Sequence, residues 1–203
     1  MLGIEERAGA YVALSHLLQR PSGELRGLVG SLEFGDLWER VATTYCVEFP
    51  QSWLAGNLPE LDEWDKMWNV VMGPVHPLVE PIESLYKAWT TDPSCESPLA
   101  NQKGYLMSDW ACHMEALFEK SGLEIPPQFA HCPDHLVLLL EFASILVEQA
   151  DGLALLKFAR HHFDWLEDLC EAARAKNAPP LYQDLYGLCL EFVKADERMV
   201  VYA

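Results

Sequence analysis

Basic residues are scarce in this 203-residue chain: 14 Lys and Arg stand against 31 Asp and Glu, for a formal net charge of -17. Affinity for a nucleic-acid backbone comes mainly from Lys and Arg displacing counterions, so nucleic acid is excluded as a partner. Acids outnumber bases in both halves of the chain, which disfavours anionic lipid and nucleotide substrates and favours cationic partners at long range. No window approaches the roughly 18 uncharged apolar residues of a membrane span, and the N-terminus lacks the basic-then-apolar pattern of a secretory signal. The chain is therefore expected to stay in the cytoplasm. The six cysteines form no C-x-x-C pair and read as reduced, mostly buried thiols. There is no G-x-S-x-G elbow, no HExxH and no glycine-rich phosphate loop, so the common nucleophilic and phosphate-binding sites are missing. Sustained period-2 alternation is absent too, which excludes a β fold.

What is present is apolar spacing of helical period along almost the whole chain. Ile4, Ala8, Tyr11, Val12, Ser15 and Leu18 share one face, and Pro21 ends that helix. Further stripes run through Leu25 to Leu32, through Phe34 to Tyr45 and, after a loop at 50–57, through Leu58 to Val71, where Gly73-Pro74 stops the helix. Between residues 73 and 104, five prolines leave room for one short helix, Ile82 to Trp89. Helices resume from Met107 to Phe118. After Pro133, Leu136 to Leu140 is apolar on every face, the mark of a central, fully buried helix. Gly152 to Lys176 reads as one long helix and Leu181 to Lys194 as the last. The expected fold is all-α, a single domain over 1–203 with about nine helices, its sub-halves 1–89 and 105–203 joined by the Pro-rich linker. That linker leaves a monomer and a domain-swapped dimer both open.

Two segments could carry function. One is His131-Cys132-Pro133-Asp134-His135, where a loop enters the buried helix. As a metal site it lacks paired ligand spacing, and the plain alternative is that Asp134 caps the helix while His135 satisfies a neighbour. The other is the bend from Met72 to Tyr86, rich in proline, which suits recognition of a peptide because a rigid loop loses little entropy on binding. A plain helix connector is the competing reading. The acids Glu60, Asp62, Glu63 and Asp65 read as the solvated face of their helix. Of His161 and His162, one is expected to point inward and the other outward.

At these segments the chain resembles the TorD/DmsD/NarJ family of redox-enzyme maturation chaperones. The resemblance lies in Gly73-Pro74 followed by Pro81-Ile82-Glu83-Ser84-Leu85-Tyr86, in Pro133-Asp134-His135-Leu136 running apolar to Glu141-Phe142, in His161, Phe163 and Trp165, and in Pro180-Leu181-Tyr182. It spans about Tyr11 to Val193, with the motifs in order. It implies an all-helical protein without catalytic turnover or cofactor. It also implies binding of the twin-arginine leader and apo-subunit of a molybdenum-cofactor oxidoreductase until the cofactor is inserted. Carried over, Asp134 and His135 match the leader-binding pair, and Pro81, Glu83, Ser84 and Tyr86 the Pro-rich bend. Met67 stands where some members have an aromatic, so that either Trp64 or Trp68 serves instead or that contact is lost. Asp164 replaces a frequent proline. The double substitution Asp134→Ala with His135→Ala is expected to weaken leader capture without unfolding the protein. A reading of another class is a small helical metal-dependent enzyme built on His131, Cys132, Asp134 and His135.

Overall fold

The computed structural model of the chain describes residues 2–201. Among these there are ten α-helices and no β-strand. In chain order they are α1 (Ile4–Leu17), α2 (Gly23–Val29), α3 (Leu32–Tyr45), α4 (Leu61–Met72), α5 (Glu83–Tyr86), α6 (Asp109–Lys120), α7 (Leu136–Glu148), α8 (Gly152–His162), α9 (Leu166–Ala175) and α10 (Pro180–Val201). The all-α expectation holds, with α5 reduced to a single turn. Several starts are set by local caps, which satisfy amides that have no partner within the helix. Ser22 Oγ accepts from the Leu25 amide at 3.1 Å, Ser31 Oγ from Phe34 at 3.2 Å and Asp151 Oδ1 from Ala154 at 2.8 Å.

The central helix is α7, as its all-round apolar sequence requires. Leu136 through Leu140, Phe142 and Ala143 are buried, and α1 lies along it, with Ala10, Leu14 and Leu17 fully buried. Each fully buried Leu contributes about 1.5–3 kcal/mol relative to exposure, so this contact anchors the molecule. A second tie was not legible in the sequence: Asp196 on α10 is 1% exposed. It takes both prongs of the Arg7 guanidinium at 2.8 and 2.9 Å and the hydroxyls of Tyr11 and Tyr45 at 2.9 and 2.7 Å. With four donors on one carboxylate, α1, α3 and α10 share a satisfied buried charge.

Several helix boundaries depart from the expected ones, among them the last, since α10 runs on to Val201 where Lys194 was the expected end. The segment 152–176 is two helices, not one. The carbonyls at the end of α8 turn away from the helical ladder to side chains: Trp165 Nε1 donates to His162 O at 2.7 Å and Lys87 Nζ to His161 O at 2.8 Å. The break falls at Phe163-Asp164-Trp165, and His162 is buried while His161 is exposed, as expected. The helix expected from Ile82 to Trp89 stops at Tyr86. Beyond it the Trp89 and Thr90 amides pair with the carbonyls of Gln102 and Ala100, closing the loop on itself.

A candidate peptide groove between the Pro-rich bend and the central helix

The bend after α4 is pinned at both ends. Gly73 stops α4 where any side chain would collide, since a Cβ there would lie 2.3 Å from the Asn69 carbonyl oxygen. The chain then doubles back, and the amides of Leu78 and Val79 cap the α4 carbonyls of Val70 and Val71 at 2.9 and 3.0 Å. At the far end, Ile82 and His135 form an antiparallel bridge. The Leu136 amide donates to Pro81 O at 2.8 Å and the Glu83 amide to Asp134 O at 3.1 Å. The two segments singled out in the sequence, about 50 residues apart, therefore form one piece of structure.

Asp134 is the rivet of that junction. Its Oδ2 accepts from the Ser84 amide at 2.7 Å and from Ser84 Oγ at 2.5 Å, while Ser108 Oγ lies 2.6 Å from Ser84 Oγ. The carboxylate thus caps α5, across the junction, and not its own helix as the plain reading had it. The N-cap of α7 is His135, whose Nδ1 accepts from the Val137 amide at 3.2 Å. Burial raises the Asp134 carboxyl above its ordinary range, against the two bonds from Ser84. Burial alone lowers the His135 imidazole to about 4, consistent with a ring whose Nδ1 must stay unprotonated to accept.

Behind the rivet runs a second chain of contacts, buried at Glu83 and His162 and reaching the surface at His113 and Asp164. Glu83 Oε2 lies 2.7 Å from His162 Nδ1, and His162 Nε2 lies 2.8 Å from His113 Nδ1. Lys87 Nζ sits 3.1 Å from Glu83 Oε1, 2.7 Å from Asp164 Oδ1 and 3.3 Å above the Trp110 ring. Burial pushes the Glu83 carboxyl well up, opposed by Lys87, and pushes His162 down to about 4.

In front of the rivet lies a groove of about 680 Å³. Its walls come from the end of α1 and the residues after it, from α4, from the bend, from the turn at Pro127–Phe129 and from α7. Trp68, Met72, Phe129 and Val137 supply apolar surface, while Glu80 and Glu141 supply carboxylates. Neither carboxylate forms an ion pair or a side-chain hydrogen bond among the described residues. Burial raises both above the ordinary carboxylate range, Glu80 against the attraction of Lys176.

The residues expected to bind a leader are thus divided. Pro81, His135 and Trp68 line the groove. Asp134, Glu83 and Ser84, at 0%, 0% and 1% exposure, form its backing. Tyr86 faces a separate recess, stacked on Trp165 with ring centroids 5.2 Å apart. Met67 packs against the core without lining the groove. Sequence reasoning passed over Glu80 and Glu141 as site residues. The signal for Glu141 was visible, since it is the one charge between Leu136 and Val147. The residues of the metal reading do not converge: His131 is exposed and Asp134 faces Ser84. Among the described residues no group of three or more His, Cys, Asp or Glu is placed to hold a metal.

A family model described as the nitrate reductase delta subunit matches residues 58–183, which include the bend, the rivet and the start of α10. The chain belongs to this family. The nitrate reductase delta family is one of molybdoenzyme maturation chaperones, in agreement with the resemblance carried by the motifs. No curated protein matches the chain. The matched segment holds Glu80 and Glu141 as well as Asp134 and His135, so the backing and most of the lining of the groove fall inside the family's span, while Leu18, Gln19 and Arg20 of the lining lie outside it. No helix among the described residues is long and apolar enough to cross a membrane.

Proposed function

We propose that this chain is a cytoplasmic, non-catalytic chaperone that holds the twin-arginine leader of a molybdenum-cofactor oxidoreductase subunit in the groove between the bend and α7. It would keep the apo-subunit there until the cofactor is inserted. The observation that carries the reading is the pairing of an apolar groove with two half-buried carboxylates that form no ion pair among the described residues, although Lys176 attracts Glu80. A desolvated carboxylate gains most from a charge-assisted hydrogen bond, and a guanidinium offers a two-pronged one. Apolar leader residues would lie on Met72, Phe129 and Trp68, while arginines meet Glu80 and Glu141. In this reading Asp134 serves by fixing the bend to α7, because its carboxylate has no exposed surface.

The test is a titration with synthetic peptides for the leaders of the host's molybdoenzyme subunits, a nitrate reductase catalytic subunit among them. Each is paired with a copy in which both arginines are glutamine. One leader should bind, its arginine-free copy should bind at least tenfold more weakly, and Glu80→Gln with Glu141→Gln should erase the difference. Binding of no leader, or equal binding of the arginine-free copies, overturns the reading.

A further inference from the structure

The groove contains one guanidinium already. Arg20, in the turn after α1, reaches its rim and grips Asp65 of α4 with two parallel hydrogen bonds, Nε to Oδ1 at 2.7 Å and Nη2 to Oδ2 at 3.0 Å. Its Cζ stands 5.9 Å from the centroid of the Trp68 ring. Asn69 Nδ2 donates to Asp65 Oδ2 at 2.9 Å and to Asp65 O at 2.7 Å, holding the carboxylate in place. Asp65, Trp68 and Asn69 are three and four residues apart on α4, so one helix face presents a carboxylate, an aromatic face and an amide together. A fork-shaped carboxylate contact with an aromatic ring beside it is the environment a guanidinium prefers to an ammonium. In the sequence Asp65 had read as part of a solvated face. The structure makes it the partner of an arginine at the edge of the peptide groove.

The Arg20 side chain is 63% exposed and that of Asp65 32%. An ion pair so exposed to water contributes little to stability, so exchanging one guanidinium for another there costs little. We propose that Asp65, Trp68 and Asn69 form a guanidinium subsite at the rim of the groove, filled by Arg20 in the free chain and taken over by a leader arginine on binding. The inference rests on the leader-binding reading and adds to it a place for an arginine beyond Glu80 and Glu141. Arg20 then acts as a built-in competitor: it keeps the subsite formed while the groove is empty and discriminates against peptides whose cation cannot match its fork.

The experiment titrates the binding leader peptide against wild type, Arg20→Ala, Asp65→Asn and the double variant, with thermal melts to confirm that each is folded. Arg20→Ala should bind about two- to fivefold more tightly, the range expected for release of an exposed ion pair. Asp65→Asn should differ little from wild type, because it removes the carboxylate from Arg20 and the leader arginine alike, and adding Arg20→Ala to it should give no gain, because the contested carboxylate is gone. A gain that persists in the Asp65→Asn background would be long-range relief of positive charge, and it overturns the subsite. So does unchanged or weakened binding by Arg20→Ala. Arg20→Lys, which keeps the charge and loses the fork, should show part of the gain, and no gain there counts against the subsite as well. If wild type binds no leader, the chaperone reading falls and this subsite with it. If wild type binds and the Arg20 series is flat, only the subsite falls.

Discussion

Asp134 and Ser84 stand 50 residues apart in sequence, yet the carboxylate of one takes both the amide and the hydroxyl proton of the other, with neither residue open to solvent. This pair turns a Pro-rich connector into a fixed wall. Its removal should register first as lost stability. Asp134→Ala leaves the buried Ser84 amide without an acceptor and the Ser84 hydroxyl with Ser108 alone, a loss of about 1–3 kcal/mol. Asp134→Asn keeps one oxygen for the Ser84 amide and should lose less. Urea unfolding of the two variants checks the order, and equal, near-zero losses would remove Asp134 from its role as a rivet. The Asp134→Ala, His135→Ala double variant is still expected to fold, at reduced stability, and weakened leader capture in it would reflect a loosened bend.

Lys87 is the counterpart behind the bend. It neutralises the Glu83 side, caps the His161 carbonyl and lies on Trp110. Lys87→Met should cost about 3 kcal/mol, because Glu83, with no exposed surface, is left beside no cation. The loss should grow with pH. The folded chain then favours protonated Glu83, a proton the unfolded chain releases once the pH passes the ordinary glutamate range. Adding Glu83→Gln should recover part of the loss at pH 8 and less at pH 5. Chemical unfolding at the two pH values decides, and a pH-independent loss would show that Lys87 acts through packing alone.

Much of this architecture is legible in the sequence, and the parts that are not share a cause. The apolar run Leu136–Leu140 announces the central helix because a helix apolar on every face has to be buried, and Gly73-Pro74 announces the end of α4 because the backbone admits nothing larger. The break at Phe163-Asp164-Trp165 has no such local signal. It depends on Lys87 and Trp165 supplying donors to carbonyls that a helical reading assigns to the next turn. The same holds for the site. The two segments that meet were found from their composition, but which side chains face the groove is decided by the junction that turns Asp134 inward. Glu80 becomes notable only once the groove gives it a half-buried position without an ion pair, whereas Glu141 already stood out as the one charge in an apolar helix.

His135 gives the fold a sensitivity to acid. Its imidazole, lowered by burial to about 4 from an ordinary 6.5, is neutral in the folded chain and protonated in the unfolded chain between those values. The unfolded state then holds the extra proton, so this contribution to stability is present above pH 6.5 and is lost as the pH falls toward 4. His135→Asn keeps an acceptor at the N-cap and removes the titration. Relative to wild type, the variant should gain about 2 kcal/mol between pH 7 and pH 4.5. Unfolding free energies of both proteins at the two pH values measure it, and parallel pH profiles would assign the acid sensitivity elsewhere.

Leader binding should have its own pH dependence, set by the two groove carboxylates. Glu80 and Glu141 are raised above 4.5 by burial, and a guanidinium pairs only with the ionised form. An arginine therefore holds both carboxylates ionised, and the complex releases protons as it forms when the pH lies below their raised values. Affinity should be flat at neutral pH and start to weaken at a pH where an ordinary glutamate would still be charged. His135 acts in the same direction, since its protonation nearer 4 adds a positive charge to the same groove. The contributions separate by variant: Glu80→Gln and Glu141→Gln should each lower affinity about tenfold at pH 7, the worth of one hydrogen bond to a charged group, and each should flatten the decline on the acid side. Calorimetric titrations in two buffers of different ionisation enthalpy would count the protons released, and a count of zero at pH 5 would mean that the arginines are held by other groups.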